Sequence, residues 1–218
     1  MLDQKQVEKL RERLRQEFSD YYEKAGGKNY RLHHLESCRK HVLKLLRTDE
    51  LSGREIDGEV AEAAALFHDI GRKQDIEDGR MDPFEGHEGH AERGAQIVKE
   101  YVQDVLGKEK AEKVRKIVGN HHSEAETLEG KIVQDVDLVT NYGVSDLWRM
   151  IHFSSDEERT MEEAFEYFWD THVPRSLERL EELHFETSRR WARKRLLKHQ
   201  EAVERMESEF NAEDISTF

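Results

Sequence analysis

The chain contains little cysteine, little proline and no long apolar run. Its single cysteine, Cys38, excludes an intrachain disulfide and fits a reducing compartment, so we expect a cytoplasmic protein. No apolar run approaches the roughly 18 residues of a membrane-spanning helix, and the charged N-terminal segment does not resemble a signal peptide. We therefore expect no membrane association. Two prolines among 218 residues favour long, uninterrupted helices.

Basic residues are also scarce relative to acidic ones. The chain has 35 Lys and Arg against 48 Asp and Glu, which gives a formal net charge of −13. A nucleic-acid backbone requires a basic surface, so we expect no nucleic-acid partner. A local basic patch near the C-terminus keeps that alternative open; it comprises Arg189, Arg190, Arg193, Lys194 and Arg195.

The spacing of apolar residues is helical almost throughout, and strand patterns are nearly absent. Helices are predicted over 3–24, 31–48, 57–70, 88–106, 109–121, 130–141 and most of 144–211, with a slight break near His184. The polar segment 73–87 contains two glycines and Pro83, which predicts a loop; we expect it to close over a site as a lid. The pattern indicates one all-α domain over residues 1–218.

Histidine and aspartate residues recur at the ends of these predicted helices. His34 opens the second helix, His68 and Asp69 end the third, and His90 opens the next. Asp137 lies within the apolar run IVQDVDLV. Burying a lone carboxylate costs several kcal/mol, and a metal ion offsets that cost efficiently. A ligand set of imidazole and carboxylate favours a hard-to-borderline divalent ion and hydrolytic chemistry.

The ordered pattern H…HD…D resembles the HD-domain superfamily of metal-dependent phosphohydrolases. Its surroundings, A-x-L-F-H-D-I-G at 64–71 and D-V-D-L at 135–138, agree with that family. The resemblance implies an all-α, HD-domain helical bundle with extended C-terminal helices. It places a metal-binding core at about 28–145 and a C-terminal extension at about 146–218.

The same resemblance implies a set of metal ligands. Carried over to this chain, the ligands of one divalent ion (Mn, Mg, Co, Ni, Fe or Zn) are His34, His68, Asp69 and Asp137. His90 and His121 match further histidines of members that have a second metal or a larger substrate-facing site. One or two ions per chain are therefore expected.

Two positions within the motif have alternatives. His33 competes with His34 as the first ligand, and the family spacing to Cys38 favours His34. Asp135 competes with Asp137 as the last ligand, and Asp137 takes the usual place.

Several neighbouring residues are candidates for catalysis. Asp69 could bind the ion and orient the attacking water. Arg72 and Lys73 follow the doublet and could contact phosphate, although cations at a helix C-terminus are also favoured by the helix dipole. Glu88 and Glu124 are weaker candidates for acid–base groups, and His122 is a candidate for an outer position.

The C-terminal segment resembles the tail of stand-alone bacterial and archaeal HD hydrolases. Thr187, Ala192 and Arg195 fit its second half, whereas Ser176 stands where that tail usually has Lys. Some members of this subgroup hydrolyse nucleoside triphosphates to monophosphate and pyrophosphate. We therefore expect a phosphohydrolase whose partners are a small phosphorylated substrate, a nucleotide above all, and a second copy of the chain. The alternatives are an HD-fold di-iron oxygenase and a non-catalytic metal-binding signalling module.

Overall fold

The computed structural model describes residues 1–78 and 89–215 and is dominated by helices, so the all-α class is confirmed. The helices are α1 (Gln4–Phe18), α2 (Tyr30–Leu45), α3 (Gly58–Phe67), α4 (Arg72–Glu77), α5 (His90–Leu106), α6 (Lys108–Gly119), α7 (Leu128–Thr140), α8 (Leu147–Asp156), α9 (Met161–Tyr167), α10 (Val173–Arg179) and α11 (Glu186–Phe210). Short 3-10 helices lie at Asp49–Leu51, Val144–Asp146 and Leu180–Glu182, and a π-helix at Phe168–His172. Among the described helices, none combines the length and apolar character needed to cross a bilayer.

Helix α3 forms the centre of the main hydrophobic core. Every residue from Val60 to Phe67 is buried, and four of these are alanines, whose small side chains let neighbouring helices approach closely. Helices α1, α2, α5, α6 and α7 all pack against α3. At the N-terminus of this bundle, the buried Glu62 accepts a hydrogen bond from the backbone N–H of Leu2 and pairs with Arg39. These contacts join the first residues of the chain and α2 to the first half of α3.

The C-terminal helices pack around α11 through two smaller apolar clusters. One joins α7 to α11 through Leu138, Tyr142 and Leu196, and the other includes Phe168 and Val203. The carboxylate of Asp135 accepts the backbone N–H groups of His184 (2.8 Å) and Phe185 (3.0 Å) just before α11 begins. This contact fixes the start of α11 on α7, close to the predicted break.

The first predicted helix is wrong at its C-terminal end. Helix α1 stops at Phe18, and Asp20 adopts a left-handed backbone conformation (φ 68°). An antiparallel hairpin follows, which pairs β1 (Tyr22–Glu23) with β2 (Gly27–Lys28). A side-chain contact stabilises this turn, since Asn29 Oδ1 accepts the backbone N–H of Asp20.

The loop predicted over 73–87 is wrong in its first part, because α4 occupies Arg72–Glu77. Contacts with other helices stabilise this short helix: Lys73 Nζ lies 2.6 Å from Glu17 of α1, and Arg93 of α5 lies 2.5 Å from Asp75. The rest of the predicted lid, 79–87, lies outside the described residues.

Gly71, between α3 and α4, touches the backbone of α5. A Cβ atom at this position would lie 2.0 Å from the carbonyl oxygen of His90 and 2.6 Å from the nitrogen of Gly94. Since neither backbone atom can rotate away, we expect Gly71→Ala to lower the free energy of unfolding by about 1–3 kcal/mol or more. Urea unfolding followed by circular dichroism measures this change.

Gly58→Ala is the matched control. A Cβ atom there would meet mainly the flexible end of the Met1 side chain, 3.2 Å away. We expect its free energy of unfolding to stay within about 0.5 kcal/mol of the wild-type value. Equal stability of the two variants would contradict the close packing of Gly71 on α5.

Candidate metal centre

Six of the predicted site residues meet where five segments converge. His34 lies on α2, His68 and Asp69 follow α3, and Asp137 lies on α7. His90 is the first residue of α5, and His121 lies two residues beyond the end of α6. Five of the six side chains are buried, and Asp137 is half-buried. The packing of these five segments therefore brings the six imidazole and carboxylate groups together in one region of the bundle.

The first group of donors consists of His34, His68 and Asp137. Oδ1 of Asp137 lies 3.2 Å from Nε2 of His34 and 3.6 Å from Nε2 of His68, and the two Nε2 atoms are 3.4 Å apart. Donor atoms bound to one ion at about 2.0–2.2 Å stand roughly 3.0–3.5 Å apart. The three residues therefore fit one divalent ion. We call them the first cluster.

Cys38 lies beside the first cluster, with its Sγ 3.7 Å from Nε2 of His34. Burial raises the pKa of its thiol well above the ordinary value. Its Sγ lies within 4.8 Å of the donor atoms of His34, His68 and Asp137, so Cys38 adjoins the first cluster.

The second group of donors consists of Asp69, His90 and His121. Oδ1 of Asp69 lies 3.2 Å from Nε2 of His90 and 3.5 Å from Nε2 of His121, and these two Nε2 atoms are 3.2 Å apart. The more exposed His122 places its Nε2 3.0 Å from that of His90. We call Asp69, His90 and His121 the second cluster, and it has the spacing of a second ion site.

Asp69 lies between the two clusters. While Oδ1 faces the second cluster, Oδ2 lies 3.8 Å from Nε2 of His34 and 3.6 Å from Nε2 of His68. A carboxylate that presents one oxygen to each of two adjoining donor sets can bridge two ions. The donors therefore fit either one ion or a bridged pair.

Backbone contacts orient two of the imidazoles. Nδ1 of His68 lies 3.0 Å from the carbonyl oxygen of Ala65, and Nδ1 of His121 lies 2.6 Å from that of Val118. Each bond requires a proton on Nδ1 and leaves the lone pair on Nε2 facing its cluster. The tight turn after α3 and the end of α6 thus determine which nitrogen is available to a metal.

Two arginines control the charge of Asp69. Arg31 donates to Oδ2 of Asp69 and also pairs with the buried Glu23 (2.7 Å), and Nε of Arg72 donates to Oδ1 (3.2 Å). Burial alone would raise the pKa of Asp69, but Arg31 and Arg72 outweigh it and hold this pKa well below the ordinary value. Asp69 is therefore a carboxylate at neutral pH.

A cavity of about 550 Å³ opens beside the clusters, and His34, Asp69 and Asp137 line it. Its wall carries five arginines: Arg31, Arg72, Arg149, Arg175 and Arg179. It also carries apolar and aromatic side chains, among them Tyr30, Leu138, Met150, Phe153 and Tyr167. The cavity therefore combines metal donors, cations and flat apolar surface.

The structure separates the alternative ligands. His33 is exposed, whereas His34 belongs to the first cluster. Asp135 binds the start of α11, whereas Asp137 belongs to the first cluster. Of the two cations after the doublet, Arg72 lines the cavity, and Lys73 instead pairs with Glu17.

Other predicted or neighbouring residues take different places. Glu124 is exposed, and Glu88 lies outside the described residues. Sequence reasoning missed Arg31 and Glu23, although Arg31 stands three residues before His34 and hence on the same face of α2. That spacing is the signal that could have identified Arg31.

Replacing His90 or His121 by alanine tests whether the second cluster holds its own ion. Each variant should lose about one metal equivalent and keep the other, because the first cluster retains its donors. Mass spectrometry of metal content after dialysis against Mn²⁺ measures this, and His33→Ala should match the wild type. If the metal content is unchanged but KM rises, both residues are substrate contacts. If neither the metal content nor the kinetics change, both residues have a structural role.

Comparison with known proteins places this arrangement in a family. Among curated proteins, none matches the chain significantly. The fold is similar to that of Bacillus subtilis YpgQ in complex with ADP (18% identity, TM-score 0.62, 93% of this chain and 97% of that one). It is also similar to an HD-superfamily hydrolase from Bacillus thuringiensis (18% identity, TM-score 0.65, 96% of this chain and 98% of that one). The Lin1889 protein from Listeria innocua is similar as well (17% identity, TM-score 0.61, 94% of this chain and 97% of that one). The profile of the HD domain matches residues 31–142, just over half of the chain. This chain therefore belongs to the HD domain family.

Proposed function

We propose that this protein is a metal-dependent phosphohydrolase whose substrate is a small phosphate ester, a nucleotide above all. The observation that carries this proposal is the shared cavity, in which donors of both clusters lie beside five arginines. Hydrolysis of a phosphate ester depends chiefly on positioning and charge stabilisation, and this cavity offers both.

The arginines supply the affinity for phosphate. The chain as a whole carries a net charge of −13, yet five guanidinium groups line this one cavity. A guanidinium group matches the geometry of phosphate oxygens and can bind two of them at once. The same wall also carries carboxylates, so a phosphate would bind at the guanidinium groups and the metal ions rather than to a uniformly positive surface; these carboxylates belong to Glu23, Asp69, Asp137, Asp146, Glu178 and Glu182.

Asp69 and Arg72 have distinct roles in the proposed reaction. A divalent ion held by His34, His68, Asp69 and Asp137 would act as a Lewis acid and lower the pKa of bound water. Asp69, ionised at neutral pH, accepts a hydrogen bond from the attacking water and orients it toward phosphorus. Arg72, whose Nε lies 3.2 Å from Asp69, is close enough to contact a phosphate oxygen at the same place.

The aromatic side of the cavity supports a nucleotide as the substrate. Tyr30, Phe153 and Tyr167 offer flat surfaces of the kind on which a nucleobase stacks. A volume of about 550 Å³ lies within the usual range of small-molecule sites. The crystal structure of YpgQ with ADP adds support, because that protein has a similar fold. Cleavage of a nucleoside triphosphate to monophosphate and pyrophosphate is the specific reaction we propose.

The test is a substrate and metal panel with the purified full-length chain. Metal-depleted protein is reloaded with Mn²⁺, Mg²⁺, Co²⁺, Ni²⁺, Fe²⁺ or Zn²⁺ and given nucleoside triphosphates, diphosphates and simple phosphate esters. Phosphorus NMR identifies the products, since pyrophosphate and orthophosphate give separate signals.

A matched pair of variants assigns the activity to the site. His34→Ala should lose activity, and His33→Ala, which changes an exposed neighbour, should keep it. Metal-loaded wild-type protein that hydrolyses none of these compounds would contradict the proposed function and favour a metal-binding signalling module.

A di-iron oxygenase is the second candidate, because the six donors form two adjoining clusters joined by Asp69. The five arginines of the cavity favour phosphate over it. Two irons per chain in protein purified without added metal, together with consumption of oxygen, would favour the oxygenase.

A further inference from the structure

A third group of metal-binding side chains lies among the C-terminal helices. Asp146 ends the 3-10 helix Val144–Asp146, His172 ends the π-helix Phe168–His172, and His199 lies within α11. One donor atom from each of these residues lies within 4.8 Å of the others. Oδ2 of Asp146 is 3.5 Å from Nε2 of His172, and the rings of His172 and His199 stand edge to face at 5.3 Å.

His199 is the member of this group that a purely structural role does not explain. Its side chain is fully buried, and neither ring nitrogen has a hydrogen-bond partner among the described residues. Leaving a buried polar atom unsatisfied costs about 1–3 kcal/mol, so native proteins rarely do so without a reason. An apolar residue would fill the same place beside Phe168 without that cost.

An ion pair accounts for only part of the arrangement. Asp146 and His172 could form one by themselves, but that pair gives His199 no partner. Arg149 approaches the other carboxylate oxygen, Oδ1 of Asp146, at 3.5 Å. Oδ2 therefore remains the oxygen that faces His172.

We propose that Asp146, His172 and His199 form a further site for a divalent metal ion of the zinc class. Two imidazoles and one carboxylate are a donor set that zinc accepts, with a fourth position left for water or another ligand. Donor atoms in a tetrahedral zinc site stand about 3.4 Å apart, which matches the separation of Asp146 and His172. One ring nitrogen of His199 lies within 4.8 Å of the donor atoms of both other residues.

The proposed zinc site lies at the wall of the cavity described above. Asp146 and His172 line the same cavity as His34 and Asp137. A metal ion here would therefore adjoin the cavity that His34 and Asp137 also line. The site is distinct from both clusters described above, and its existence does not depend on the proposed hydrolysis.

Zinc itself is the probe, and hydrolysis is not measured. Full-length protein is stripped with chelator, dialysed against Zn²⁺ and analysed for bound zinc by mass spectrometry. Both His199→Gln and Asp146→Asn should bind about one zinc fewer per chain than the wild type, and His33→Ala should bind the same number. Wild-type zinc content in a folded Asp146→Asn variant, which preserves the shape of the side chain, would overturn the site.

Nitrogen NMR of the wild-type protein decides the matter even where a variant fails to fold. With ¹⁵N-labelled histidine, the ring resonances of His172 and His199 should shift on addition of Zn²⁺ to stripped protein. Unshifted resonances of both residues at saturating zinc would overturn the proposal.

Discussion

Replacing Asp69 by alanine should remove metal from both clusters and abolish most of the proposed hydrolysis. The carboxylate faces His34 and His68 with one oxygen and His90 and His121 with the other, so both donor sets lose a member. We expect turnover to fall about a thousandfold or more, because a Lewis-acid ion supplies several kcal/mol and each 1.4 kcal/mol is tenfold in rate. Metal analysis and turnover of the same preparation measure the two effects.

Asp69→Asn separates the loss of charge from the loss of shape. It keeps a polar group of the same size beside Arg31 and Arg72, so the helical circular dichroism should match that of the wild type. Metal content and turnover should nevertheless fall as in the alanine variant. Wild-type metal content and turnover in either variant would show that the proposed centre is wrong.

Replacing Arg31 by methionine should lower the free energy of unfolding by about 3–5 kcal/mol in metal-free protein, since it leaves two buried carboxylates without their shared cation. Arg31 contacts both Glu23 and Asp69, and all three side chains are buried. Urea unfolding followed by circular dichroism, with chelator present, measures this loss.

Two comparisons make the Arg31 prediction specific. Arg205→Met removes an exposed pair with Glu209 and should cost no more than about 0.5 kcal/mol. With Mn²⁺ in place of chelator, the penalty of Arg31→Met should shrink, because metal binding gives Asp69 a new cationic partner. An equal penalty with and without metal would contradict the placement of Asp69 as a ligand.

The six candidate residues could be named from the sequence because they follow the order of a known motif, but their division into two clusters that Asp69 joins could not. From the sequence alone, Arg72 and Lys73 were equal candidates for a place at the edge of the site. Consecutive residues of a helix point about 100° apart, so Arg72 faces Asp69 while Lys73 faces Glu17 of α1. Adjacency in sequence was therefore a poor guide at the first turn of α4.

The remaining features depend on packing between distant segments. The group of Asp146, His172 and His199 spans more than fifty residues and forms only when α11 packs against the preceding helices. The hairpin after α1 has strands of two residues, too short to show any periodicity. The charged helical pattern of residues 3–24 continues past Phe18, and the turn at Asp20 overrides it.

If each cluster binds an ion, the position of Asp69 makes the loading of the two clusters a single coupled equilibrium. When one oxygen engages an ion, the charge on the other oxygen and its freedom to rotate change as well. The factor by which filling the first cluster alters affinity at the second must equal the factor for the opposite order. A titration with one kind of ion will then deviate from two independent isotherms, and that deviation measures how strongly one carboxylate couples the two clusters.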